Sequence, residues 1–338
     1  MIIIDGAEGE GGGQVVRNAL ALSLVTGQPF RISNIRGGRD KPGLMRQHLT
    51  AVEAALTIGG AVCEGASVGS TEIAFTPGRV APGEYQFAVG TAGSTSLVLQ
   101  TVLMPLLLAG EPSRLVLEGG THNMMAPPFD FIERAFLSVI NRMGPQVSAR
   151  LTRHGFFPRG GGQIEVDIVP GKLSPIECID RGPLQSVSAT AMFAALPFDI
   201  AEREIKAARA ILSDWPENAF AVRQLPEEQG PGNAFLLEAV FENGCEIVTG
   251  FGKLGVSAES LAKTAAQRMA GFLASDAFAG PYVADQLLLP FALAGGGSFT
   301  TVKPSQHART AADVIERFTG QRWVFDQQPN GSHLVRRA

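Results

Sequence analysis

Residues able to do chemistry gather first in Lys303-Pro304-Ser305-Gln306-His307-Ala308-Arg309-Thr310. Before them, Gly295-Gly296-Gly297 and the alternating run Ser298 to Val302 read as a glycine turn and a short strand. After them, Ala311 to Phe318 has the Ala/Val/Ile/Phe spacing of an amphipathic helix. His307 therefore falls at a strand-to-helix junction, where open sheets present reactive groups and helix N–H groups attract phosphate. An imidazole there can serve as a nucleophile or a base near neutral pH. Most histidines are surface or core residues, so the case for a nucleophile depends on the rest of the chain.

Three further stretches suit such a nucleophile. Between Arg31 and His48 the chain has five Lys/Arg residues against one acid, in a loop kept open by glycines. Guanidinium forks at a helix start match bidentate phosphate recognition; the plainer reading is a solvated basic loop. Gly6-Ala7-Glu8-Gly9-Glu10-Gly11-Gly12-Gly13-Gln14 joins the first strand to the first helix and lacks the lysine of a GxxxxGK[ST] loop. Its carboxylates would repel phosphate unless a cation intervened. Glu8 or Glu10 is thus either a Mg²⁺ contact or an acid answering the helix dipole. Asp285 and Gln286 open another helix, and either cap it or orient the imidazole or a ribose.

Two loops carry less. Arg153 to Gln163 reads as an elaborate turn, and His154 has arginines beside it and no acid. Gly119 to Pro128 could wall a base or ribose pocket, or be ordered for its own sake.

The elements that must position these groups recur. Ile2 to Ile4 reads as a strand, Gly13 to Thr26 a helix, Phe30 to Ser33 a strand, Leu44 to Ile58 a helix, with strands at Ala61 to Gly65 and Glu72 to Phe75. The order β-α-β-α-β-β repeats after roughly 80 residues, a sign of duplicated units: Tyr85 to Val89, Gly93 to Ala109, Ser113 to Glu118, Phe129 to Met143, Val147 to Leu151 and Gln163 to Ile168. The joints match too: Gly27-Gln28-Pro29-Phe30-Arg31-Ile32 beside Gly110-Glu111-Pro112-Ser113-Arg114-Leu115. A third copy starts at Ile176 to Ile179, breaks off, and resumes with Tyr282 to Ala294 (helix), Ser298 to Val302, Ala311 to Phe318, Trp323 to Phe325 and His333 to Val335. Between lie strands Val187 to Ala194, Phe235 to Phe241 and Glu246 to Phe251, with helices Ile200 to Leu212 and Ala258 to Ala274. The expected fold is α/β (α+β): three βαβαββ repeats forming a large domain, 1–180 plus 277–338, with a small α/β domain, 181–276, inserted.

With 338 residues, 45% hydrophobic and 18% charged, the chain has the composition of a buried globular protein rather than a disordered one. The net charge of −4 neither advertises nor excludes nucleic acid, since a local basic patch contacts phosphate. Cys63, Cys178 and Cys245 are odd in number and far apart, which fits reduced thiols in the cytoplasm. The start Met1-Ile2-Ile3-Ile4 lacks a basic region, so no signal peptide is expected, and Leu97 to Ala109 is too short to span a bilayer.

Taken together the motifs resemble one family, the RNA 3′-terminal phosphate cyclases. The resemblance rests on Asp5 through Gln14, Arg36 through Ala51, Gly90-Thr91-Ala92-Gly93-Ser94 with Gln100, and the specific HGxxPxGGG element at His154 to Gly162. It extends through Gly230-Pro231-Gly232-Asn233, Ala284-Asp285-Gln286 and Pro304-Ser305-Gln306-His307, and is collinear over essentially the whole chain. It implies ATP-dependent conversion of an RNA 3′-phosphate to a 2′,3′-cyclic phosphate, with Mg²⁺ or Mn²⁺. His307 would be the nucleophile that carries AMP. Gln100, Pro128, Tyr282, Val283, Ala284, Asp285 and Gln286 resemble the adenylate pocket. Arg17, Arg36, Arg39 and Gln47 resemble the substrate-phosphate side, and Glu10 the metal contact. A homodimer is expected from the resemblance alone. Two alternatives remain at this point: a non-catalytic cyclase-like RNA-processing factor, which would lack the histidine, and an enolpyruvyl transferase-like enzyme, which would need neither the histidine nor ATP.

Overall fold

The computed structural model describes residues 1–338. The first unit runs β1 (Ile2–Asp5), α1 (Gly13–Thr26), β2 (Phe30–Ser33), α2 (Arg46–Gly59), β3 (Val62–Glu64) and β4 (Ile73–Thr76). Its sheet has the order β1-β2-β4-β3, with β1 and β2 parallel and the rest antiparallel. α1 and α2 each stop at a glycine with left-handed φ, Gly27 (+69°) and Gly60 (+51°), a conformation that costs other residues a Cβ clash.

The second unit repeats the pattern: β5 (Glu84–Ala88), α3 (Thr95–Leu107), β6 (Ser113–Gly119), α4 (Leu137–Arg142), β7 (Gln146–Arg153) and β8 (Gly162–Val169), in the order β5-β6-β8-β7. The helix expected from Phe129 opens as a π-helical stretch, Phe131–Phe136, before α4. α3 is buried at every position except Gln100, as expected of a helix apolar all round.

The third unit starts with β9 (Glu177–Cys178). The chain then makes a separate sheet from β10 (Leu184–Ala194), β11 (Phe220–Gln224), β12 (Gly232–Phe241) and β13 (Cys245–Phe251), in the order β11-β10-β12-β13. α5 (Phe198–Arg209) and α6 (Ala258–Leu273) cover it. β11 has no counterpart in the sequence reading. Its Phe220-Ala221-Val222-Arg223-Gln224 is too short and too polar to declare itself without its parallel partner β10.

The interrupted unit then resumes with α7 (Pro281–Leu293), β14 (Ser298–Thr301), α8 (Gln306–Thr319), β15 (Trp323–Gln327) and β16 (His333–Arg337). Its sheet, β9-β14-β16-β15, repeats the order of the other two, with only β9 and β14 parallel. α8 starts five residues earlier than the apolar spacing suggested, because Ser305 caps it: its Oγ accepts the Ala308 N–H at 3.0 Å.

Helices of the three units pack on one another, α1 against α2, α3 and α8, and α7 against α8. One apolar core runs through all three units; a second, from Ala189 to Phe272, lies wholly within the segment of β10 to α6. Within each unit one pair of strands is parallel, β1 with β2, β5 with β6 and β9 with β14, so the paired strands end at the same edge of their sheet.

Candidate active site

His307 occupies the first turn of α8, half-exposed. Its Nδ1 lies 2.9 Å from Gln14 Oε1 and 3.7 Å from Glu10 Oε2. Both neighbours of Nδ1 are oxygens that accept, so Nδ1 carries the proton and donates to Gln14. Nε2 then keeps its lone pair. Burial, with Arg39 and Arg17 nearby, holds the imidazole pKa below its ordinary 6.5, so the ring is neutral at pH 7.

The β1–α1 loop presses against this turn. Glu10 N–H donates to Thr310 Oγ1 at 2.9 Å, and Gly9, with φ +65°, leaves no room for a Cβ beside that hydroxyl. Glu10 pairs through Oε1 with Arg39, while its Oε2 is buried without a hydrogen-bond partner. An orphaned carboxylate oxygen fits a hard cation. No trio of His, Cys, Asp and Glu side chains gathers around it. A cation at Glu10 would therefore draw its other ligands from water and substrate phosphate, which is how Mg²⁺ is usually held.

The four residues assigned to substrate phosphate are not equivalent. Arg17, on α1, has lost enough water for its pKa to fall to about 10, and its Nε has no partner. It is a desolvated cation with capacity to spare. Arg39 is occupied by Glu10. Arg36 sits at φ +56° and donates from Nη1 to Lys41 O (2.6 Å) and Gly43 O (3.0 Å), so it also ties its own loop together. Gln47 faces the β5–α3 loop, its Oε1 3.5 Å from Ser94 N. Beneath them His48 accepts the Met45 N–H on Nδ1, and burial with Arg17 and Arg36 lowers its pKa to about 3. It is a neutral structural histidine.

Beside His307 a polar cleft opens between α1, α3 and α7, lined by Gln14, Asn18, Gln100, Asp285 and Gln286 over an apolar floor that includes Leu103 and Phe136. Gln100 Nε2 donates to Gln286 Oε1. Asp285 is buried, which raises its pKa to about 7 from 3.8, and it accepts a hydrogen bond from Ser305 Oγ. Ser305 therefore joins Asp285 to the turn that carries His307.

Gln100, Asp285 and Gln286 thus meet at one cleft. Val283 and Ala284 are packed into the core on the same helix, Tyr282 is half-exposed at its start, and Pro128 lies in the β6–α4 loop, outside the cleft lining. Sequence reasoning passed over Gln14, Asn18 and Ser305. For Ser305 a signal existed, the Ser one residue before a helix; for Gln14 and Asn18 there was none, since a polar residue at a helix start is ordinary.

His122 and His154 do not join this site. His122 Nε2 meets Asp130 Oδ2 at 2.8 Å, His154 Nδ1 meets Gln229 Oε1 at 3.0 Å, and both rings pack on Phe156. Burial pushes His154 down to about 4. His154 and Phe156 thus make a buried joint between the second unit and the segment carrying β10 to β13, while His122 is tied within the second unit.

Fold and site together define an α/β enzyme whose polar cleft lies among the helices of a tripled unit. A family model described as RNA 3′-terminal phosphate cyclase matches residues 8–324. The chain is 51% identical to the RNA 3′-terminal phosphate cyclase of Koribacter versatilis over 99% of this chain and 94% of that one. It is 49% identical to the like-named protein of Ralstonia nicotianae, over 94% and 91%, and 48% identical to that of Ectopseudomonas mendocina, over 96% and 95%. The chain belongs to the RNA 3′-terminal phosphate cyclase family, which implies nucleotide binding and the use of ATP. No helix is long and apolar enough to cross a membrane.

Proposed function

We propose that the chain converts RNA 3′-phosphate ends to 2′,3′-cyclic phosphates through a covalent histidine–AMP intermediate. The observation that carries this reading is the His307–Gln14 contact, which leaves Nε2 of a neutral imidazole free to attack. In the first step Nε2 bonds to the α-phosphorus of ATP and the bond to the β-phosphate bridging oxygen breaks, releasing pyrophosphate. In the second, a terminal oxygen of the RNA 3′-phosphate takes the adenylate and His307 leaves as neutral imidazole. In the third, the terminal 2′-OH attacks the 3′-phosphorus, loses its proton and expels AMP. Each step is a phosphoryl or nucleotidyl transfer, governed by positioning and charge rather than by new covalent machinery.

The roles follow from the geometry. The cleft of Gln100, Asp285 and Gln286 would seat the adenosine, and Asp285, with its raised pKa, can act as a hydrogen-bond donor or acceptor. Arg17, desolvated and with Nε unpartnered, is the cation with most capacity for the RNA terminal phosphate, and Arg39 and Gln47 would share that role. A divalent cation, Mg²⁺ or Mn²⁺, at Glu10 would neutralise phosphate charge as it develops. The same reading takes 1–180 with 277–338 as the catalytic body and 181–276 as an inserted domain, which the separate apolar core supports. Three free cysteines fit a cytoplasmic setting.

The test is incubation with α-labelled ATP and Mg²⁺ or Mn²⁺. Wild type should take an acid-labile, alkali-stable label that 3′-phosphorylated RNA discharges, and His307→Ala should take none. A wild type that stays unlabelled with both cations, or a labelled His307→Ala, overturns the reading.

A further inference from the structure

The second unit shows an exposed apolar patch that the adenylate cleft leaves unused. Phe157 is 66% exposed, Met125 84% and Met124 38%, on two loops that the fold ties together. Thr121 N–H and His122 N–H both donate to Gly155 O, Gly155 N–H donates to Thr121 Oγ1, and His122 pairs with Phe156. Met125 sits at φ +66°, in the left-handed region that few residues other than glycine occupy. A surface aromatic on a doubly tied loop is a rigid one.

The patch is continuous with the catalytic end. A Cβ at Gly160 would touch Thr91 O and Ala92, Asn123 Nδ2 donates to Ala92 O, and a Cβ at Gly93 would lie 3.0 Å from Gln47 Cβ. Gln47 also faces Ser94 N. The path from Gln47 through the β5–α3 loop to Phe157 is therefore one of direct contacts. Cations flank it at both ends: exposed Arg46 next to Gln47, and exposed Arg153 and Arg159 next to Phe157. Arg159 and Arg153 each donate to one backbone carbonyl, Gly230 O at 3.0 Å and Glu228 O at 3.3 Å, and pair with no carboxylate.

We propose that Phe157 is a stacking platform for bases of the single-stranded RNA upstream of the reacting end. Arg46 and Arg159 would track its phosphates. An exposed aromatic face accompanied by guanidinium groups that no carboxylate neutralises is the arrangement that holds single strands without reading their sequence. A second copy of this chain is the other occupant for an apolar patch, but it gives no reason for the arginines there to lack carboxylate partners. The proposal rests on the cyclase reading for the direction of the strand.

The probe is a 3′-phosphorylated oligonucleotide of about ten residues with 2-aminopurine in turn at each of the last few positions; stacking quenches that fluorophore. Wild type should quench one or two positions near the end. Phe157→Ala should abolish the quenching and weaken Kd about tenfold, within the cost of removing a stacking aromatic. Phe157→Tyr should restore both. A 3′-phosphorylated dinucleotide should show little difference between wild type and Phe157→Ala. Unchanged Kd and quenching in Phe157→Ala overturn the platform, as does a loss of self-association in that variant with RNA binding intact. Since α-label uptake by wild type from ATP involves no RNA, a failed platform and a failed cyclase reading are separately visible.

Discussion

His307 Nδ1 and Gln14 Oε1 stand 2.9 Å apart although 293 positions separate them in the chain. The contact brings the first turn of α8 against that of α1 and fixes which imidazole nitrogen keeps its proton. Gln14→Leu removes the acceptor. Single-turnover uptake of α-label should slow about tenfold, the worth of an orienting hydrogen bond, while Gln14→Glu, which still accepts, should lose much less. Equal rates in wild type and Gln14→Leu would remove Gln14 from the site.

Protonation of His307 removes the attacking lone pair, so the adenylylation rate falls as pH falls. Burial, Arg39 and Arg17 all lower its pKa, so the fall should have a midpoint below about 6.5, the ordinary value for histidine. Arg39→Gln takes away one positive charge and releases Glu10 toward the ring. Its pH–rate midpoint should move up. A downward or absent shift would contradict this electrostatic account.

Arg36 and Arg17 should separate into a loop tie and a phosphate ligand. Arg36→Ala loses two hydrogen bonds to Lys41 O and Gly43 O. It should cost about 1–2 kcal/mol and open residues 36–43 to protease. Arg17→Ala removes a desolvated cation without a carboxylate partner, so Tm should stay level or rise. Its KM for 3′-phosphorylated RNA should nevertheless rise more than tenfold by the loss of a charge-assisted contact, an effect of about 1.5–3 kcal/mol. Arg17→Lys should not restore a forked contact. Thermal melts beside steady-state kinetics distinguish the two residues.

Ser305 holds both the N-terminus of α8 and Asp285. Ser305→Ala should lower stability by about 1 kcal/mol through the lost cap and slow label uptake, because the turn carrying His307 loses its anchor. The Asp285 carboxyl, already raised to about 7 by burial, loses the hydrogen bond that restrains it and moves further up. Ser305→Thr, which keeps the hydroxyl, should recover both Tm and rate. A variant that melts earlier but labels at the wild-type rate would confine Ser305 to capping.

The repeated unit was legible in the sequence because its signals are local. Helical spacing, glycines at helix ends and matching joints at Gly27 and Gly110 each declare an element within a dozen residues. The basic loop from Arg31 to His48 and the setting of His307 were legible for the same reason. β11 and the π-helical opening of the helix before α4 were not, since a short strand depends on its neighbour β10 and a π turn on the packing around it. Pairings decided by distance belonged to the tertiary structure alone. Only there does Gln14 meet His307, Asp285 meet Ser305 and Gln100 meet Gln286. Only there do the arginines divide, Arg36 tied to its loop, Arg39 to Glu10, and Arg17 stripped of water and left unpaired. Sequence supplies the kinds of residue the chemistry needs; charge, tautomer and commitment arise when folding removes water and sets partners across the chain.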